Sequence, residues 1–236
     1  IIGAPSGGSF TAGAMAGGAG TIPAAGTGVY IGTQITLSPS GDVDADVYTF
    51  TASLQDKRMY GCDGVNREFE FDGTVYVPIV TGMGSIRATS VRCHKNHLFY
   101  GYRGSLQHSG VGTPYLWSAV FGAAELGTGD EITNLISVGG ATDAAALMVL
   151  CRNAIYVLYG TSSSDWNMKP QSRISGAMAR SAQDIGGVVA LDKPGVMRYP
   201  ATRNFGNFAW DAVSMDIQPI ASNQECACSV YVSGLF

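Results

Sequence analysis

One word shape recurs along this chain and limits what it can fold into: a short apolar run, a polar break, then a second apolar or alternating run. Residues 147–160 give it most clearly, as LMVLCRNAIYVLYG, with the break at Arg152-Asn153. Periodicity alone does not separate two buried strands from one buried helix. No capping residue with an acidic first turn opens a helix near Ala144. The second run is β-branched and aromatic, which suits a pleated surface. The word also returns. Residues 59–73 carry it with a turn at Asp63-Gly64, residues 91–101 with a turn at Lys95-Asn96, and residues 188–199 with a turn at Lys193-Pro194-Gly195. Asp, Asn, Gly and Pro at those breaks tolerate φ > 0 or preset φ, so they are hairpin signals with a mechanism. Cys62, Cys93 and Cys151 each stand just before a turn. The separations, roughly 30 to 60 residues, bracket the ~40–50-residue period of a four-stranded propeller blade. The fold expected is mainly β: a β-propeller-like array of antiparallel hairpins, forming an incomplete part of a longer chain.

Composition narrows the function classes. Only 14% of the 236 residues are charged, 46% are hydrophobic, and 32 are Gly. Soluble domains carry ~25% charged residues, so a chain like this hides much of its surface in an assembly. The longest apolar runs are cut by Arg152 or by Gly and Pro, short of the ~18 residues of a transmembrane helix. Net charge is −4, with no basic cluster to neutralise phosphates. Specific nucleic-acid binding is not expected, and a surface past which DNA slides would look the same. Five cysteines fall at strand positions, which reads as free buried thiols. Cys226 and Cys228 would share one face of a strand, but no partner pair stands at zinc spacing.

Two domains are expected. Residues 1–28 are Gly/Ala-rich and nearly uncharged, an extended arm or loop segment. Residues 29–236 form the propeller-like domain. Within it Val29, Ile31, Ile35 and Leu37 suggest strands, Pro39-Ser40-Gly41 a turn, and Val47–Phe50 a strand. Asp42, Asp44 and Asp46 resemble the start of a calcium loop, but Val47 stands where the tight-turn Gly belongs and Ser53 where the bidentate Glu belongs. A solvated turn and strand edge is the reading. Phe69 and Phe71 alternate with Glu68, Glu70 and Asp72, giving one buried face and one wet face. Residues 74–80 make a short strand ended by Pro78. Residues 161–175 read as a polar loop around Trp166, residues 175–185 as a short helix or a strand, and residues 204–219 as loop plus strand.

Candidate site residues are few. His94 and His97 flank a turn, and as metal ligands they would need His108, the only other histidine. Two polar hairpin residues is the plainer reading. Ser105, His108 and Asp130 invite a triad, yet no nucleophile-elbow pattern surrounds any Ser. Gly127-Thr128-Gly129-Asp130 lacks the ending of a phosphate loop. Residues 101–118, GYRGSLQHSGVGTPYLWS, set aromatics beside adaptable polar groups, as recognition and subunit surfaces do. They could equally be a strand, a turn and a packed Trp.

The ordered words HKNHLFYGYRGSLQHSG, PYLW, GTGDEITNLIS, RNAIYVLYGTSSSDW, Gly176-Ala177 and LDKPGVMRY carry a resemblance. Over residues 58–219 the chain resembles the β-propeller tail proteins of short-tailed bacteriophages, called tail nozzle, tail tubular or head–tail stabilisation proteins. The resemblance implies a structural virion protein, a subunit of a ring, commonly sixfold, around the DNA exit channel. It implies assembly in the host cytoplasm, adaptor or portal-side and tail-fibre proteins as partners, genomic DNA passing without specific binding, and no enzymatic activity, cofactor or metal. The chain departs from the family in its short length and its Gly/Ala-rich start. Arg103, Gln107, His108, Tyr115, Trp117 and Trp166, in the loops 101–117 and 161–170, are the expected subunit or partner contacts. Two alternatives stand: a receptor- or glycan-binding propeller using those aromatic loops, and a propeller glycoside hydrolase drawing on Asp63, Asp72, Asp130 and Asp165.

Overall fold

In the computed structural model, residues 36–51, 53, 56–138, 145–199 and 211–212 are described. By its contacts the chain divides into Ile1–Pro39 and Ser40–Phe236. The arm proposed for residues 1–28, the strand residues Val29, Ile31 and Ile35, and the Cys226/Cys228 pair lie outside the described residues, as does most of the 204–219 segment. Leu37 is described and is not in a strand.

The described part of Ser40–Phe236 is mainly β, in four antiparallel four-stranded sheets that follow one another along the chain. Sheet 1 holds β1 (Asp44–Tyr48), β2 (Arg58–Cys62), β3 (Phe69–Phe71) and β4 (Tyr76–Pro78). Sheet 2 holds β5 (Ser90–His94), β6 (His97–Tyr102), β7 (Ser105–His108) and β8 (Ala124–Gly127). Sheet 3 holds β9 (Ile132–Val138), β10 (Ala146–Cys151), β11 (Ile155–Tyr159) and β12 (Asn167–Ser172). Sheet 4 holds β13 (Gln183–Asp184), β14 (Val188–Asp192), β15 (Gly195–Tyr199) and β16 (Asp211–Ala212). Each is a simple meander, with strands paired in chain order. The described residues do not close the array into a ring.

All four hairpins read from the sequence are present: β2–β3, β5–β6, β10–β11 and β14–β15. The tightest is β5–β6, where His94 pairs with His97 across Lys95 and Asn96. Both central residues have positive φ, 45° and 62°, the geometry that matches the twist of a two-residue hairpin. After β2 the chain takes a longer path, which Asp63 organises by accepting from the Val65 and Asn66 amides at 2.9 and 2.6 Å.

The apolar runs are continuous because the sheets stack and the middle ones are covered on both faces. Tyr60 and Cys62 of sheet 1 meet Val91, Leu98, Tyr100 and Tyr102 of sheet 2. The other face of sheet 2, with Phe99 and Leu106, meets Leu147, Val149 and Leu158 of sheet 3. Met148, Leu150, Ile155 and Val157 turn the opposite way, onto Val188, Ala190, Met197 and Tyr199 of sheet 4. So every residue of β10 is buried.

The structure corrects three expectations. Asp44 and Asp46 are no solvated turn: they lie in β1, and their carboxylates accept from the Val91 and Cys93 amides of β5 at 2.9 and 2.8 Å. Glu68 is not on a wet face but 1% exposed, accepting from the Ala88 amide at 2.8 Å. Residues 167–172, read as loop, form β12, an edge strand whose outward Pro170 needs no donor. Residues 175–185, read as a short helix or a strand, take the strand form at β13. Their backbone is pinned by the Asp192 carboxylate, which accepts from Ser175 Oγ at 2.7 Å and the Gly176 amide at 3.1 Å. Cys62, Cys93 and Cys151 are free and buried, as expected of thiols serving as small apolar groups.

Candidate functional site

The first strand of each sheet lies beside the first strand of the next, and polar side chains stitch them together. Besides the Asp44 and Asp46 bonds from β1 to β5, Arg92 Nε donates to the Leu135 carbonyl at 3.0 Å and His94 Nδ1 meets Ser137 Oγ at 2.7 Å, joining β5 to β9. Asn134 Nδ2 donates to the Met178 carbonyl at 2.8 Å, joining β9 to the lead-in of β13. Arg180, at φ 60°, pairs with Asp42 at 2.9 Å and so ties the lead-in of sheet 4 to that of sheet 1.

These strands border a cavity of about 390 Å³, lined by residues that include Asp44, Arg92, Asn134, Arg180 and Asp184. Its charges are mixed and largely engaged. Arg92 also lies 3.5 Å from Asp46. Burial holds the Asp44 carboxyl above the usual carboxylate range, against the opposing pull of the Val91 amide.

The six contact residues read from the sequence do not form one patch. Arg103 is exposed at the β6–β7 turn with φ 49°. His108, at the other end of β7, is fully buried. Its Nδ1–H donates to the Ser109 carbonyl at 2.9 Å, and its Nε2 accepts from Trp166 Nε1–H at 3.0 Å. Gln107 is buried, with Nε2 3.1 Å from Met83 Sδ. Trp117 stacks on Tyr100 with centroids 5.6 Å apart and donates to the Pro114 carbonyl at 2.8 Å. Tyr115 is 46% exposed and its hydroxyl donates to Glu70 Oε2 at 2.7 Å.

What the loop after β7 does present is apolar. Val111, Tyr115, Leu116, Val120 and Phe121 are all exposed, Val120 at 87%. The loop is braced: the Gly110 amide donates to the Leu116 carbonyl and the Gly112 amide to the Asn96 carbonyl, both at 2.8 Å. A 3-10 turn, Ala119–Phe121, ends at Gly122 with φ 80°. Sequence reading singled out this loop for its aromatics and missed Val111, Val120 and Phe121, whose signal was apolar residues among Gly, Ser and Pro.

The histidines form a buried group. His97 and His108 rings lie 4.8 Å apart at centroids, with Phe99 and Trp166 packed around them. His94 Nε2 and His97 Nε2 are buried with no hydrogen-bond partner among the described residues. Burial drives His94 and His108 each down to about 4 and lowers His97 as well. Among the described residues no group of three His, Cys, Asp or Glu is placed to hold a metal ion.

The triad residues are engaged elsewhere: Ser105 Oγ donates to Glu125 Oε1 at 2.6 Å, and Asp130 accepts from the Asn153 amide at 2.6 Å. The four aspartates weighed for glycoside hydrolysis all hold turns. Asp63 and Asp130 do so as given above. Asp72 accepts from the Thr74 and Val75 amides at 2.8 Å. Asp165 accepts from the Thr161 and Ser162 amides at 2.9 and 2.7 Å.

Compared with protein-family models and with curated proteins, the chain matches none.

Proposed function

We propose that this chain is a structural subunit of an oligomeric ring in the tail of a short-tailed phage, in the nozzle or connector region, and that its four sheets are consecutive propeller blades. The observation that carries the reading is the braced apolar loop after β7. It sets Val111, Leu116, Val120 and Phe121 in solvent on a chain only 14% charged. Contiguous exposed apolar residues mark interaction sites. One loop meeting a different surface of the neighbouring copy is enough to close a ring. The ordered sequence words supply the phage tail, and with it a sixfold ring bound to adaptor or portal-side and tail-fibre proteins in the virion. A net charge of −4 and a cavity lining of both signs suit a surface past which genomic DNA slides.

The test is the native mass of the purified chain, alone and with its connector partner. A ring-sized oligomer is expected, with V120D and F121D reducing it to monomers whose circular dichroism is unchanged. A monomer under both conditions overturns the reading.

A further inference from the structure

Bonds between neighbouring sheets fix which turns share an end of the array. The leading strands run parallel: Asp44 and Asp46 reach Val91 and Cys93, and Ser90, Arg92 and His94 reach Thr133, Leu135 and Ser137 in the same order. The turns between the second and third strand of each sheet therefore gather at one end. Further bonds tie them there. The Gly64 amide donates to the Ala88 carbonyl, the Ile132 amide to the Arg103 carbonyl, the Asn153 amide to Asp130, and Lys193 Nζ to Asn153 Oδ1.

Each of those turns carries an exposed cation: Arg67, Arg103, Arg152 and Lys193. Exposed Arg173 and half-buried Arg87 stand in the connections between sheets at the same end. Among the described residues no hydrogen bond or ion pair engages the guanidinium groups of Arg67, Arg87, Arg103 and Arg173. The carboxylates there are committed: Asp42 to Arg180, Glu131 to Arg152, and Asp63 and Asp130 to backbone amides. The same turns and connections expose Val65, Val80 and Ile174, at 43%, 64% and 89%.

The opposite end has the complementary make-up. Among the described residues its turns hold Asp56, Asp72 and Asp165 against Lys57 and Lys95, and Lys95 Nζ donates to the Gly160 carbonyl at 2.8 Å. That end also bears the loop after β7, uncharged from Gly110 to Gly122, with Val120 and Phe121 in solvent. One end thus sets apolar groups beside carboxylates, and the other sets apolar groups among arginines. Copies meeting through two different surfaces make the heterologous contact a ring requires. Arg suits such a contact, since its stem packs on apolar groups while its fork pairs with carboxylates.

We infer that the arginine-bearing end is the seat for the loop after β7 of a neighbouring copy. Val120 and Phe121 pack against Val65, Val80 and Ile174, and the arginines face the carboxylate-bearing turns around that loop. This inference rests on the ring reading and names the surface its contact loop meets.

A benzophenone side chain in place of Phe121 tests it in the full chain. Isotope-labelled and unlabelled protein are assembled together, irradiated and digested, so that mixed-isotope products mark bonds between copies. Such bonds from position 121 to residues 63–67, 79–87, 103–104 or 173–174 are the expected result. Bonds between copies to any other surface, or none in an assembled oligomer, overturn the inference and leave the ring reading standing. A monomeric mass of the unaltered chain overturns both. Should the benzophenone itself block assembly, charge reversal decides. R67E with R103E removes no side-chain bond within the chain, so circular dichroism should be unchanged while association at low salt weakens by about tenfold or more. Unaltered association overturns the inference.

Discussion

The indole N–H of Trp166 donates to Nε2 of His108 at 3.0 Å, bridging the loop after β11 to the end of β7. That bond fixes His108 as the neutral Nδ1–H tautomer, since Nδ1 donates to the Ser109 carbonyl. It also places a polar link inside the apolar contact between sheets 2 and 3.

Replacing Trp166 by Phe keeps a ring but leaves the fully buried Nε2 of His108 without its donor. An unsatisfied buried acceptor costs roughly 1–3 kcal/mol. Urea denaturation of W166F should show a loss in that range with unchanged slope. H108F with W166F should lose less than the two single changes added together, because neither partner is then left unpaired.

The histidine group makes stability depend on acid. Burial lowers His94 and His108 to about 4 and lowers His97, so the unfolded chain, whose histidines titrate near the ordinary value of about 6.5, binds protons first. The stability is fully present above pH 6.5 and is lost as pH falls toward 4, by on the order of 3 kcal/mol for each of His94 and His108. Lys95, beside His94, adds to the cost of a second positive charge there. Asp44 acts with the opposite sign, since its raised pKa makes the folded state the better proton acceptor as pH drops. A series of denaturation midpoints from pH 7 to 4 should fall, and H94N should flatten the fall.

The hairpins were legible because their signal is local: apolar runs broken by residues that tolerate the turn. Which hairpin corresponds to which was not. Cys62 and Cys151 end second strands, whereas Cys93 lies in a leading strand, so the recurring Cys does not mark one repeat position. Asp44, Asp46 and Glu68 were misread because buried carboxylates that accept backbone amides look the same in sequence as solvated ones. The partners of Asp44 and Asp46 lie 47 residues away, beyond any local pattern. The loop after β7 stood out by its aromatics, yet packing consumes Trp117 and His108 and leaves Val111, Leu116, Val120 and Phe121 exposed.

Asp44 and Asp46 clamp β1 to β5 through bonds to the Val91 and Cys93 amides. Alanine at either position should destabilise by about 1–3 kcal/mol, since it leaves a half-buried amide unpaired. D46A should cost slightly more salt sensitivity as well, because Asp46 also faces Arg92 at 3.5 Å. Amide exchange at Val91 in D44A and at Cys93 in D46A should each accelerate selectively, while β10 stays protected.

Gly101, in the fully buried strand β6, packs directly against Ile132 of sheet 3. A Cβ there would stand 2.9 Å from Cγ2 of Ile132 and 3.4 Å from its Cβ. Ile132 is itself 1% exposed at the start of β9, and its amide is held by the Arg103 carbonyl at 2.6 Å, so it has little room to retreat. Gly101 has no left-handed backbone, so the strain of a substitution is steric and not conformational. G101A should therefore cost about 1–3 kcal/mol by overpacking. Ile132→Val keeps Cγ2 and should not rescue it. Ile132→Ala removes the clashing methyl, so G101A/I132A should be less destabilised than the sum of its single changes by roughly 0.5–3 kcal/mol. Full additivity in urea denaturation would mean that the contact between the two sheets at this point lies elsewhere.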